Sequence, residues 1–132
     1  MPGLRTFRYP WLWLAGWLLL IAVVVAGSLL PAQQLPEPAF AGVDKLQHFV
    51  GYAALSGYAV MLFERVRAQA AAACAMLLLG ALLEFVQGAM TDSRLADAVD
   101  VIANSLGVAA GWALRYTRLR RLLQLIEGCV VR

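Results

Sequence analysis

Asp44-Lys45-Leu46-Gln47-His48-Phe49-Val50-Gly51-Tyr52-Ala53-Ala54-Leu55, continuing as Ser56-Gly57-Tyr58-Ala59-Val60-Met61-Leu62-Phe63, is the stretch whose reading decides the fold. Beyond His48 it carries no charge. Its length matches the roughly 20 residues that an α-helix needs to cross a bilayer. Yet it opens on an aspartate, a lysine and a histidine. At about 100° per residue, Asp44, His48, Gly51 and Tyr52 fall on one helix face. A charge in hydrocarbon costs about 2.5–3.5 kcal/mol on insertion scales, so such a face turns toward other helices or a wet cavity. The stretch reads as a membrane helix with one inward polar stripe.

Three more windows of the same kind lie around it. Trp11–Leu30 is uncharged, Ala68–Met90 is broken only by Gln69, Glu84 and Gln87, and Asp97–Leu114 is polar only near its start. With 62% hydrophobic and 14% charged residues, the chain is too apolar for an ordinary soluble domain. Its mean hydropathy of +0.73 agrees. The expectation is an all-α integral membrane protein, one domain over residues 1–132, with four transmembrane helices at about 11–30, 44–63, 68–90 and 97–115. Glu64–Arg67 is short enough to force the second and third helices into a hairpin. Tyr9, Trp11, Trp13 and Trp17 form an interfacial anchor for the first. Pro31, Pro36 and Pro38 keep the following loop, Pro31–Gly42, out of helix. Thr91, Asp92 and Ser93 are natural caps for the last helix.

A net charge of +3 and a pI near 9.2 do not signal a nucleic-acid binder, because the basic residues sit beside the hydrophobic windows. Arg5, Arg8, Arg65, Arg67, Arg115, Arg118, Arg120, Arg121 and Arg132 fall on one side of a four-span chain, and only Lys45 and Arg94 on the other. That asymmetry places both termini in the cytoplasm. The Arg115–Arg121 run then meets anionic headgroups. Ala39-Phe40-Ala41 lies too far beyond the first window for a signal-peptide cleavage site, so that window is expected to stay as a span. Cys74 and Cys129 fall in different compartments of this topology and form no disulfide framework.

The other polar residues repeat the stripe. Gly80, Glu84, Gln87 and Gly88 share a face of the third helix. Asp97, Asp100, Asn104, Gly107 and Gly111 occupy an arc of about 80° on the fourth, flanked by Arg94. With a rise of about 1.5 Å per residue, His48, Glu84 and Asp100 share one layer in the extracytoplasmic half, with Tyr52 and Asn104 a turn deeper. His48, one turn from Asp44, reads as a general base oriented by a carboxylate or as a metal ligand, against an interhelical packing bond. Asp44, Glu84, Asp97 and Asp100 outnumber Lys45 and Arg94 by two, an excess that a divalent cation, a shared proton or a protonated carboxyl would resolve. Catalytic candidates are therefore His48, Glu84 and Asp100, the same three being the metal candidates. Binding candidates are Asp44, Lys45, Tyr52, Gln87, Arg94, Asp97 and Asn104. Gly107 and Gly111 form a G-x-x-x-G that suits close helix packing. There is no phosphate-binding loop and no other identifiable cofactor motif.

These residues resemble the VanZ-like family. Asp44–Leu55 is similar to its D-K-x-x-H-F-x-x-Y-x-x-L signature, and Glu84-Phe85-Val86-Gln87 to its E-x-x-Q. Arg94 to Gly111 is similar to its R-x-x-D-x-x-D-x-x-x-N-x-x-G-x-x-x-G, so the likeness covers residues 44–111. The resemblance implies a small multi-pass protein of the bacterial cytoplasmic (inner) membrane, whose namesake is associated with low-level resistance to the glycopeptide teicoplanin. Three functions then compete. The first is binding or modifying a lipid-linked envelope component or a lipoglycopeptide at an outer-leaflet polar pocket. The second is a small intramembrane acid–base or metal-assisted enzyme on a lipid-linked envelope substrate. The third is a proton- or cation-coupled transport component, which four short spans without an internal repeat disfavour. The bilayer is the partner in every case. Self-association is left open.

Overall fold

A computed structural model of the chain describes residues 3–30, 40–90 and 97–130, which are helix or short connection with no strand among them. Four long helices lie close to the apolar windows: α1 (Pro10–Leu29), α2 (Val43–Leu62), α3 (Val66–Met90) and α4 (Ala98–Ala113). Two 3-10 turns, Leu114–Tyr116 and Arg118–Arg121, lead into a short α5 (Leu122–Val130). Nine apolar-rich residues are too few for a bilayer-length window, so hydropathy does not announce α5.

Two helical stretches, Pro10–Leu29 and Val66–Ala89, are long and apolar enough to cross a membrane. Among the described residues α2 and α4, which also read as spans in the sequence, do not meet that standard, for different reasons. α2 spends its first turns on Asp44, Lys45, Gln47 and His48. α4 has only 16 residues, about 24 Å of helix. Around the bundle the outward side chains are nonetheless apolar, with Leu12, Leu19, Leu78, Phe85, Ile102 and Leu106 all exposed. A belt of that kind is unusual on a water-soluble surface.

The core is built on α2. Tyr52, Leu55, Ala59, Val60 and Leu62 are almost fully buried. On one side Trp17 of α1 donates its indole N–H to the Leu55 carbonyl at 3.0 Å, and Tyr58 donates to the Trp13 carbonyl at 3.0 Å. On the other side α4 runs parallel to α2. A Cβ on Gly107 would drive into the Phe49 carbonyl, and one on Gly111 into the Ala53 carbonyl and the Gly57 amide. Only glycine permits that approach. Ser56 then reaches the Val108 carbonyl at 2.9 Å, a buried bond across the same seam. Where lipid tails are as apolar as leucine, small residues and such bonds are what hold helices together.

The ends of the bundle are tied locally. Arg5 N–H donates to Leu62 and Glu64 N–H to Gly3, clasping the N-terminal strap over the turn between α2 and α3. α1 has no side-chain cap of its own at Tyr9. Glu127 of α5 serves instead, accepting from the Arg8 and Tyr9 amides at 2.7 and 3.1 Å and from the Trp13 indole at 2.9 Å. A carboxylate there also meets the positive end of the helix dipole. α4 is capped by Asp97, whose side chain accepts from the Val99 amide at 2.8 Å. Aspartate is a strong N-cap. Thr91–Ser93, Arg94 and most of the Pro31–Gly42 loop lie outside the described residues.

Two outcomes follow. Gly111→Ala must push α2 and α4 apart and is expected to destabilise the protein by about 1–3 kcal/mol, the usual range for overpacking. Gly128→Ala, where a Cβ meets nothing within 4 Å, is expected to leave thermal stability in detergent unchanged. Burial works against ionisation of Glu127, but the bonds from Arg8, Trp13 and Tyr9 outweigh it and hold the carboxyl below the ordinary glutamate range. Its stabilisation is therefore complete above about pH 4.3 and lost as pH falls through the lower folded value. Amide exchange in α5 should rise below about pH 4 in the wild type. In Glu127→Ala it should already be fast at neutral pH.

Candidate functional site

The polar stripes of α2, α3 and α4 meet at the end of the bundle where α2 and α4 begin. His48, Glu84 and Asp100 converge there, each offering one ligand atom within 4.8 Å of the others. His48 Nδ1 lies 3.0 Å from Asn104 Oδ1 and 3.8 Å from Glu84 Oε1, while Nε2 lies 3.9 Å from Asp100 Oδ2. An amide oxygen can only accept, so Nδ1 carries the proton in that bond. Nε2 is then the ring nitrogen turned toward Asp100, too far for a hydrogen bond but with room for a metal ion between the two atoms. Asn104 is 2% exposed and acts as the group that orients the ring.

Why these three helices deliver these groups to one place follows from the packing. The Gly107–Phe49 and Gly111–Ala53 contacts fix the register of α4 against α2, which sets Asn104 beside His48. Gly80 does the same for α3. A side chain there would press on Asn104 and on the Tyr52 ring at 3.1–3.3 Å, so its absence lets Glu84, one turn on, approach the cluster.

The ion pairs differ from the sequence expectation in one respect. Asp44 does not orient His48. Its carboxylate takes Lys45 at 2.8 Å, because both side chains sit at the half-exposed mouth, and His48 is turned inward. Lys45 reaches Asp97 at 3.0 Å as well, and Asp100 at 3.3 Å without hydrogen-bond geometry. One ammonium therefore holds three carboxylates, and Glu84 has no cation other than the His48 ring within 4.0 Å among the described residues. Glu84 is 4% exposed, and its Oε1 accepts no hydrogen bond. The Tyr52 hydroxyl is buried in the same state, and Asp100 Oδ1 has only the Lys45 ammonium at 3.3 Å. Buried polar atoms without a hydrogen bond, here Glu84 Oε1 and the Tyr52 hydroxyl, are costly unless something uses them.

A cavity of about 210 Å³ opens beside the cluster, lined by Val24, Gly27 and Ser28 of α1 and by Gln47, His48, Gly51 and Tyr52 of α2. The Gln87 amide donates to the Ser28 carbonyl and ties the end of α1, whose Ser28 lines the cavity, to α3. Sequence reading did not select Gln47, Ser28 or Val24. α1 carries no polar stripe, and nothing in its composition marks the face it lends to the site. Arg94 lies outside the described residues.

Chemically, the arrangement offers an imidazole with one nitrogen oriented and the other aimed at a carboxylate, a second buried carboxylate, and a phenol. Such a set can bind a cation, move a proton or hold a polar group delivered from the adjoining cavity. The family model described as VanZ/LLP1 matches residues 7–120, most of the chain and all of these residues. No curated protein and no solved structure gives a match.

The unpaired hydroxyl yields a test. Tyr52→Phe removes a buried group without a partner, so stability should stay unchanged or rise by up to about 1 kcal/mol. Asn104→Ala breaks the bond to His48 and should lower it, by about 0.6 kcal/mol or more. Thermal unfolding in detergent measures both, and the opposite order would contradict this geometry.

Proposed function

The chain belongs to the VanZ/LLP1 family, and from that premise we propose a multi-pass protein of the bacterial inner membrane that binds or modifies a lipid-linked envelope component. All four long helices span the bilayer in this reading, with both termini cytoplasmic, as the arginine asymmetry favours. The His48–Glu84–Asp100 cluster then opens into the extracytoplasmic leaflet. A polar headgroup would enter through the cavity between α1 and α2, with its lipid tail left along the apolar belt. The consequence for the cell is altered susceptibility to teicoplanin-type glycopeptides, which act on the same surface.

The observation that carries this reading is the convergence of His48, Glu84 and Asp100 beside a cavity, with Glu84 Oε1 and the Tyr52 hydroxyl buried without a hydrogen bond. Packing alone would satisfy those atoms. A polar ligand supplies the missing partners.

A second reading, metal-assisted transfer or hydrolysis, is favoured by the donor set. One imidazole and two carboxylates suit a divalent ion of the zinc or manganese type, and three protein ligands leave a coordination position for water or substrate. The ion would polarise a phosphoryl or carbonyl oxygen of the substrate.

Lipid and muropeptide profiles of cells expressing the wild type, His48→Ala or Glu84→Gln at equal membrane levels separate these readings. A product made only by the wild type supports chemistry. A glycopeptide phenotype that both variants lose, without any new product, supports binding. Wild-type phenotypes in both variants would end the proposal that this cluster is a site.

A further inference from the structure

The opposite end of the bundle holds a second concentration of charge, and it has the opposite sign. A cavity of about 400 Å³ lies where the N-terminal strap, the α2–α3 turn and the two 3-10 turns meet. Arg5, Arg115, Arg120 and Arg121 line it, with Gln69 and a single acid, Glu64. A neighbouring cavity of about 640 Å³ shares Arg115, Arg120 and Arg121, adds Arg118, and is closed on one side by Leu125 of α5. None of these arginines has a carboxylate within 4.0 Å among the described residues.

Arg5 and Arg115 are held in place, while Arg118, Arg120 and Arg121 are exposed. Arg5 donates to the Val60 carbonyl at 3.4 Å, while its Nε is buried without a partner. Arg115 stacks over the Trp112 and Tyr116 rings at 4.0 and 4.4 Å. Burial draws the Arg5 guanidinium below its ordinary value, Glu64 opposes this, and Arg120 and Arg121 push the same way as burial. Folding therefore gathers like charges that repel one another, and an anion would relieve the repulsion. Guanidinium groups favour phosphate oxygens among anions, because two N–H groups match two oxygens.

Beside the arginines stands exposed apolar surface: Leu119 of the second 3-10 turn and Leu125, Ile126 and Val130 of α5. A short amphipathic helix preceded by a turn of basic residues resembles a segment lying in the membrane interface. Free phosphate would use the arginines and leave the leucines in water. A phospholipid would use both.

We infer that the cavity between the strap and the 3-10 turns binds the phosphate of an anionic phospholipid, whose acyl chains lie along α5. The site is independent of the His48 cluster. It needs only that this end of the bundle meets a leaflet carrying anionic lipid.

Native mass spectrometry of the full-length protein, released from detergent micelles doped equally with phosphatidylglycerol and phosphatidylcholine, tests the inference. The wild type should retain phosphatidylglycerol in preference to phosphatidylcholine. The Arg120→Gln/Arg121→Gln double variant should lose about tenfold or more of that preference, as expected when two basic contacts disappear. Arg65→Gln/Arg67→Gln removes the same charge outside both cavities and should stay within about threefold of the wild type. Arg121→Lys, which keeps the charge but not the fork, should fall between them and guards against misfolding as the cause. Equal losses in both double variants would reduce the effect to net charge and overturn the site. So would retention unchanged in Arg120→Gln/Arg121→Gln. If millimolar inorganic phosphate raises the melting temperature while phosphatidylglycerol does not, the occupant is a soluble anion and the lipid assignment fails.

Discussion

Two glycines decide how close α4 comes to α2, and most of the structure depends on that distance. Gly107 and Gly111 let the α4 backbone rest against the Phe49 and Ala53 carbonyls, where any side chain would intrude. Backbone contact and interhelical bonds supply attraction at this seam. Ser56 adds one such bond and Asn104, through His48, another. The same contact sets the register of the two helices. With α4 advanced or retracted by a turn, Asn104 and Asp100 would no longer flank His48.

Electrostatics at the site run against stability, which is what separates it from ordinary packing. Lys45 meets three carboxylates at the mouth, so its single charge leaves the region acidic. Glu84 is buried beside a histidine that Asn104 already engages. Burying such groups is expensive when each is not fully bonded. Glycine-mediated packing brings these groups together with bonds left unmade, and the proposed polar ligand would supply the missing partners. The opposite end of the bundle follows the same logic with the sign reversed. There four arginines surround one glutamate.

Much of this was legible in the sequence because it follows from periodicity. The four long helices begin and end within a few residues of the apolar windows, and the phase of His48, Glu84, Asp100 and Asn104 around their helices places them inward. Pairing within the cluster was less legible. Asp44 is spaced to reach His48 along α2, but the nearer ammonium of Lys45 takes it, and the ring turns to groups on α3 and α4. Spacing along one helix cannot show a competitor supplied by the neighbouring residue or by another helix. The Glu127 cap joins residues 118 and 119 positions apart, and no local pattern encodes it. The part of α1 in the cavity wall was equally hidden, because Val24, Gly27 and Ser28 contribute shape and a carbonyl rather than a charged side chain.

Whether His48 and Glu84 act as one unit is the point on which the functional reading turns, and a double-mutant cycle measures it. Glycopeptide susceptibility, or the yield of an envelope product, would be compared for His48→Ala, Glu84→Gln and the pair at matched expression. Groups that serve one site lose nearly everything at the first substitution, so the double variant should be no worse than the more severe single one. Losses that multiply would mean that the two residues contribute independently, and would contradict a shared site.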